Sequence, residues 1–301
     1  MPVSGSASLT ALKNPPMRKI TQWIVFFSGM WMASLSFAAS PAGLVTIVEG
    51  RARLLRGASL YKLQEGVPVS AGDIFEVDEG AHVQVEFADG SALGLGSKSA
   101  VLLNELPSGA GKPGSVFLAS GWLKASGAGV VGNVRAATSN VVLTPKNAIF
   151  VLRSTAVGTE FFVEAGEVTP SAAHKGSPLS GVRKSGDFMV LKNGAELEAL
   201  KRPTPQFLAA LPRMFTNTLP SRFERIASSK KEPIWESDIS FADADRWLKA
   251  YPYDHQQWLA RIGGRLKDKE FRTQAEKSLA VSHDWEPAIH AEKMSTKSNK
   301  P

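Results

Sequence analysis

Short segments in which apolar and polar residues alternate recur through much of the chain, and they constrain the fold more than any other feature. The clearest of them is His82-Val-Gln-Val-Glu-Phe87. Successive side chains of a β-strand point to opposite faces, so alternate residues from Val83 to Phe87 are predicted to face a core. The same pattern predicts that His82, Gln84 and Glu86 face water.

Glycine and aspartate punctuate these segments. Asp89-Gly90 follows the predicted strand His82–Phe87 and predicts a tight hairpin turn, because glycine accepts a positive φ. Ala92–Leu95 is predicted to be the return strand of this hairpin. No helical pattern longer than two turns precedes residue 200, so the predicted fold is mainly β, an antiparallel sandwich or roll. The other predicted strands are Leu44–Glu49, Ala52–Leu55, Ile74–Val77, Val101–Leu103, Val116–Ala119, Trp122–Ala125, Val134–Ala137, Val141–Leu143, Ile149–Leu152, Phe161–Glu164 and Phe188–Leu191.

The periodicity becomes helical after Pro203, which predicts a small α-helical C-terminal region. Ser240 and Asp243 form a capping box at the start of one helix, and Pro252 ends it. These helices either pack into a small subdomain or offer a face to a partner. Their apolar stripes are Phe241, Ala244, Trp247, Leu248 and Tyr251; Trp258, Leu259 and Ile262; and Phe271, Ala275 and Leu279.

The N-terminal part has the order of a secretory signal peptide, in which basic residues precede the apolar stretch Trp23–Ala33. Signal peptidase requires small side chains one and three residues before the cut. Cleavage after Ala38 meets this rule with Ser36, whereas cleavage after Ala39 would place Phe37 at a restricted position. The sequence therefore predicts a mature periplasmic protein that begins at Ala39.

An uncleaved membrane anchor is the alternative. Ile20–Ala39 is long enough to cross a bilayer, which takes about 20 residues, although polar residues weaken it. In that case the protein would be anchored in the inner membrane and face the periplasm. Either Met1 or Met17 could be the natural start.

The β-rich part resembles the FecR-domain family over roughly residues 43–170. The segments that carry this resemblance are Gly43–Gly50, Leu63–Gly66, Val69–Phe75, Val83–Ser91, Leu93–Ser99, Val134–Thr138 and Val157–Phe161. The family's turn residues correspond here to Gly72, Asp73, Asp89, Gly90, Gly158 and Thr159. Family members often carry arginine before the Gly-Thr pair, where this chain has Val157, so a shared binding role at that position is not carried over.

The best-known FecR proteins are membrane-spanning regulators with a cytoplasmic segment that controls a sigma factor. The stretch ahead of the apolar segment is too short to fold such a segment, which predicts a stand-alone exported FecR-like protein. For such a protein the resemblance implies recognition rather than chemistry. Its predicted partner is an envelope protein or a cell-wall polymer, and the alternative is a membrane-anchored signalling component of the FecR type.

Several other functions are disfavoured by the residues themselves. The chain has no cysteine, which excludes thiol catalysis and cysteine-based metal sites. Its net charge of +7 is not gathered into a basic stripe, so nucleic acid is not an expected partner. Gly127–Gly132 matches a dinucleotide fingerprint as a string, but no helix is predicted to follow it, and a hairpin loop is the better interpretation. The acidic residues from Asp73 to Asp89 are better explained by turns than by calcium.

No nucleophile–base pair and no metal-ligand spacing among the histidines stands out, so neither a catalytic site, a metal nor a cofactor is predicted. An envelope enzyme with dispersed catalytic residues is the third hypothesis. The predicted organisation is a leader and signal peptide at 1–38, a FecR-like β domain at 39–200, a helical region at 201–291 and a disordered tail at 292–301.

Overall fold

A computed structural model of the protein describes Met1 and residues 41–107, 112–127, 134–173, 179, 181–193, 196–217, 220–250 and 255–298. The chain divides into two compact units, Met1–Ala39 and Ser40–Pro301, and the fold presented below is that of the second. The predicted cleavage site at Ala38 and Ala39 lies outside the described residues.

Among the described residues, fifteen strands form the body of this unit, and all but one of the pairings found there are antiparallel. This confirms the mainly β fold with C-terminal helices. The strands are β1 (Gly43–Glu49), β2 (Ala52–Arg56), β3 (Ser59–Lys62), β4 (Ile74–Val77), β5 (His82–Phe87), β6 (Ser91–Leu95), β7 (Ala100–Glu105), β8 (Gly114–Gly127), β9 (Val134–Ala137), β10 (Val141–Thr155), β11 (Gly158–Ala172), β12 (Arg183–Lys184), β13 (Phe188–Lys192), β14 (Leu197–Leu200) and β15 (Ile234–Asp238).

Three long strands, β8, β10 and β11, belong to two sheets at once because their halves pair with different neighbours. The first half of β8 pairs with β7 and β9, and its second half pairs with β6 and β10. The first sheet has the order β1-β5-β6-β8-β10-β11-β13-β14, and the second has the order β15-β3-β2-β4-β7-β8-β9-β10-β11-β12. Several strands that the sequence predicts separately are therefore halves of one strand.

The main core lies between these two sheets. Leu54 and Phe75 of the second sheet and Val85 and Phe161 of the first belong to one cluster of buried apolar side chains. The alternation of apolar residues along each strand, which the sequence displays, supplies this inner layer. Burial of one such side chain stabilises the fold by roughly 1.5–3 kcal/mol.

The C-terminal region covers the outer faces of both sheets. Its helices are α1 (Pro205–Ala210), α2 (Phe223–Ala227), α3 (Phe241–Ala250), α4 (His255–Ile262), α5 (Lys269–Ser278) and α6 (Glu286–Ser298), with 3-10 turns at Arg213–Phe215 and Gly263–Lys267. We call residues 204–227 the strap and α3 to α6 the helical layer. Phe207 and Phe215 of the strap pack on Trp122 and Phe188 of the first sheet.

The helical layer packs on the second sheet. Trp247, Trp258 and Phe271 belong to one buried cluster with Leu55 and Phe117 of the strands. The residues of the predicted apolar helix stripes make this contact, apart from Tyr251, which lies outside the described residues. The helices therefore contact one another and the β-rich body. Helices and strands belong to the same compact unit, Ser40–Pro301.

Helix boundaries agree with the capping residues of the sequence where both are described. The Ser240 hydroxyl accepts a hydrogen bond from the backbone N–H of Asp243 at 3.1 Å, and Pro252 lies outside the described residues. The last helix continues to Ser298, so residues 292–298 are helical where the sequence predicts a disordered tail.

The prediction that one face of β5 meets water is wrong. His82 and Glu86 are 5% and 4% exposed, and Gln84 is half-buried. The strap covers this face, and the ring of Phe215 meets that of His82 edge-on at 5.9 Å. An alternating pattern indicates two faces of different polarity, but a polar face can still be buried when another segment brings hydrogen-bonding groups to it.

The interpretation of the glycine-rich stretch after Gly127 as a hairpin loop stays a prediction from the sequence. Residues 128–133 lie outside the described residues, but the strands on either side of them, β8 and β9, pair in parallel.

Candidate partner-binding edge

The last strand, β15, ends the second sheet. Within the described part of the chain it pairs with β3 alone, so its other side carries main-chain groups without a neighbouring strand. The sequence analysis predicts no strand here. A signal was present, since Ile234 and Trp235 are strand-forming residues that directly follow Pro233, but the run is too short to show alternation.

Contacts on both sides of β15 fix its position. Before the strand, the N–H of Lys231 donates to the carbonyl of Gly66 at 3.0 Å. After it, the N–H of Ile239 donates to the carbonyl of Ala58 at 2.8 Å. These contacts join residues far apart in sequence, which is why no local pattern could have revealed them.

The final residue of the strand is held by its side chain as well. One carboxylate oxygen of Asp238 accepts a hydrogen bond from the hydroxyl of Ser59 at 3.0 Å, and the other forms an ion pair with Arg265 at 3.0 Å. Because Arg265 belongs to the helical layer, the edge strand is tied to both the sheet and the helices. Both ends of β15 are therefore anchored to neighbouring elements.

All five residues of β15 are exposed. Ile234 is 51% and Trp235 60% exposed, and they are neighbours in the chain. Because successive side chains of a strand point to opposite faces, Ile234 and Trp235 flank the unpaired edge on its two sides, where each could contact an added segment. The edge strand β14 of the first sheet has no such pair of exposed apolar residues, and its Leu200 packs against the aromatic cluster of that sheet.

The edge also carries features that limit uncontrolled strand pairing. Pro233 precedes it, the pairing with β3 shifts register between Trp235 and Ser237, and the intervening Glu236 is acidic. Proline, bulges and charges are the usual protections of an exposed edge. They restrict the open stretch to a few residues around Trp235 and so favour a short, specific partner segment over a long one.

Gly72 and Asp73, which the family resemblance singled out, lie at the start of β4. Gly72 has a positive φ of 85°, and the Asp73 carboxylate is buried. Its two oxygens accept hydrogen bonds from Arg56 at 2.8 and 2.6 Å, and the N–H of Ser70 donates to it at 2.8 Å. The sequence suggested a turn residue, and the structure adds a buried ion pair.

The other singled-out residues lie at two further turns. Asp89 accepts hydrogen bonds from the N–H and the hydroxyl of Ser91, and Gly90 has a φ of 83° in the β5–β6 hairpin. Gly158 and Thr159 begin β11. The Thr159 hydroxyl lies 3.0 Å from that of Thr138, and both residues are buried.

These three turns line separate cavities, so the structure does not gather the predicted residues into one site. In the described ranges, no group of three or more histidine, aspartate or glutamate side chains could hold a metal ion. A helix with the length and apolarity needed to cross a membrane is likewise not found among those residues.

Comparisons with known proteins give little beyond this. No protein-family model matches the chain, and no curated protein matches it. Two crystal structures of a "putative anti-sigma factor" from Parabacteroides distasonis are similar to it, each with a TM-score of 0.37 and 13% identity over 45% of this chain. The matched region spans 63% and 62% of those chains, less than two thirds of their length.

Proposed function

We propose that this chain is an exported recognition protein of the FecR type that binds a protein partner of the cell envelope at the edge of β15. The observation that carries the proposal is Trp235, which is 60% exposed on a strand with one unpaired side. The expected occupant is an extended segment of another protein with an apolar side chain. Recognition, and not catalysis, is the activity proposed.

Strand addition explains the combination of features at this edge. An extended segment would gain main-chain hydrogen bonds from the free side of β15, while Ile234 and Trp235 would bury their exposed apolar area against its side chains. Tryptophan is the residue type most enriched among those that dominate binding energies. The anchoring of both strand ends means that little ordering of the chain would accompany binding.

Crosslinking and mutation test the binding site. A photoreactive amino acid placed at Trp235 should capture an envelope protein that the same group at Leu208 does not capture. Leu208 is a matched control because it is 55% exposed but lies on α1. With the captured protein purified, Trp235→Ala should weaken binding by roughly 30-fold, the size of a typical dominant contact, and Leu208→Ala should leave it unchanged.

Hydrogen exchange distinguishes strand addition from simple apolar contact. Backbone amides of β15 should become protected in the complex. Unchanged exchange there, or equal effects of the two alanine substitutions, would refute the edge as the binding site. If the photoreactive group captured a second copy of this chain, and sedimentation showed a dimer, the β15 edge would be a self-association surface and the proposal of an envelope partner would be refuted.

The export part of the proposal rests on the N-terminal sequence and has its own test. The mass of the protein isolated from its native envelope should correspond to a chain beginning at Ala39, in the soluble periplasmic fraction. A full-length chain recovered with membranes would support the membrane-anchored signalling component instead.

A further inference from the structure

A second feature, independent of the β15 edge, is a cleft of about 550 Å³ between the helical layer and the second sheet. Arg56 and Asp73 lie on its sheet side, Asn104 at the end of β7, and Gln257 and Arg261 on α4. Its volume is within the range of sites that bind small molecules, roughly 300–1,000 Å³. The question is which chemistry its lining would recognise.

One charge pair in this lining is complete. Arg56 donates two hydrogen bonds to the carboxylate of Asp73, and this raises the pKa of the arginine. Asp73 is 1% exposed, so its negative charge is largely committed to Arg56. The same guanidinium also donates to the carbonyl of Pro68 at 2.8 Å.

The second guanidinium has no carboxylate of its own. Within the described residues, Arg261 donates to the neutral carbonyls of Gly57, Gly72 and Leu55, and it lies over the ring of Trp258 at 5.5 Å. Burial lowers the pKa of Arg261; Asp73 partly opposes this shift, and Arg56 adds to it. Two guanidinium groups therefore line one cleft with a single buried carboxylate, and that carboxylate is bonded to Arg56.

One acidic residue at the rim of the cleft, Glu105, does not balance the excess positive charge of the two arginines. Glu105 lines the cleft, but it is exposed, so water screens its charge. Arg261 is half-buried, and a charge that is partly removed from water without a counter-charge carries part of the desolvation cost of a buried one. An anionic group that entered the cleft would lower this cost, and it would do so next to amide side chains at Asn104 and Gln257.

We propose that this cleft binds a ligand bearing a carboxylate. The carboxylate lies against the guanidinium groups of Arg261 and Arg56, and the polar residues Asn104 and Gln257 line the space beside it. Two sources have this chemistry, a sugar acid and the C-terminal end of a peptide. Both combine one carboxylate with closely spaced polar groups.

Titration calorimetry with the purified protein tests the proposal. D-glucuronate and glycylglycine are the two carboxylate probes, and D-glucose and glycinamide are their partners without a carboxylate. At least one carboxylate probe should bind, more tightly than its partner. Binding of glucuronate alone identifies a sugar acid, binding of glycylglycine alone identifies a peptide end, and binding of both shows that the carboxylate itself is recognised.

Two adjacent substitutions on α4 provide the matched control. Gln257→Glu places a negative charge in the cleft and should weaken binding about tenfold, the effect of a unit charge at several ångströms in a partly solvated site. Gln256→Glu adds the same charge one residue earlier, at an exposed position outside the cleft lining, and should change binding little.

Thermal unfolding should be similar for both variants, because both positions are exposed. The proposal is overturned if neither carboxylate probe binds at millimolar concentration, if the uncharged partners bind as well, or if the two variants weaken binding equally. Because these readouts do not involve Trp235, they remain separate from the test of the β15 edge.

Discussion

His82 illustrates at the scale of one residue how the strap changes the chemistry of a strand. The residue is 5% exposed, and in the described part of the chain neither ring nitrogen has a hydrogen-bond partner. Burial lowers the pKa of His82, while Glu49 and the backbone of Leu95 oppose the shift without cancelling it. Glu86 and Lys124 line the same cavity beneath the strap.

This burial predicts a pH-dependent stability. A histidine with a lowered folded-state pKa stays neutral in the fold, whereas in the unfolded chain it takes up a proton below about pH 6.5. The free energy of unfolding should therefore fall as pH decreases from 7.5 to 5.5. Urea unfolding should show a smaller fall for His82→Leu than for the unchanged protein.

The control for this prediction is His255→Leu, a change at an exposed histidine. It should retain the pH dependence of the unchanged protein. Burial acts to raise the pKa of Glu86, but hydrogen bonds from Ser221, Thr46 and Gln84 outweigh it and lower that pKa. The stability that the ionised Glu86 contributes to the fold is therefore lost only at more acid pH. An identical pH dependence in all three proteins would contradict the role of His82.

At the scale of elements, the long strands change sheets where their backbone adopts a positive φ. Gly121 in β8 has a φ of 90°, Asn147 in β10 a φ of 52°, and Gly166 in β11 a φ of 74°. The pairing of β10 with β11 shifts register between Lys146 and Ile149, at the same level. A Cβ at Gly166 would lie 1.7 Å from the carbonyl oxygen of Asn147.

Gly166→Ala should therefore lower the free energy of unfolding by more than about 2 kcal/mol, since backbone strain and a steric clash combine. Gly80→Ala is the matched control, because Gly80 has a φ of 72° but nothing within 4 Å of the added Cβ. It should cost about 1–2 kcal/mol from strain alone. Equal losses for the two variants in urea unfolding would show that the close approach at Asn147 is unimportant.

At the scale of the whole molecule, the C-terminal region completes the β-rich body. The strap covers apolar side chains such as Val151 on the first sheet, and the helical layer covers others such as Ile74 on the second. Both faces of the sandwich would otherwise expose aromatic and aliphatic side chains. The segment between the strap and the helical layer supplies β15, so the proposed recognition edge depends on the same wrapping.

A chain truncated after Lys201 should therefore not behave as an independent domain. We expect it to aggregate or to bind an apolar dye strongly, because removal of the strap and the helical layer exposes two apolar faces. Co-expression of residues 203–298 as a separate chain should restore solubility by covering them. A truncated chain that is monomeric, binds no dye and unfolds in one sharp transition would contradict this prediction.

Local patterns were sufficient for the mainly β body, the hairpin at Asp89 and the apolar helix stripes, because strand alternation, turn chemistry and helical periodicity act over a few residues. Only the tertiary structure decided that His82 is buried, that β15 pairs with β3, and that Arg56 and Arg261 line one cleft. Each of these depends on contacts between residues far apart in the chain. The signal peptide and the envelope partner remain predictions from the sequence, and the fold places an exposed edge where such a partner could bind.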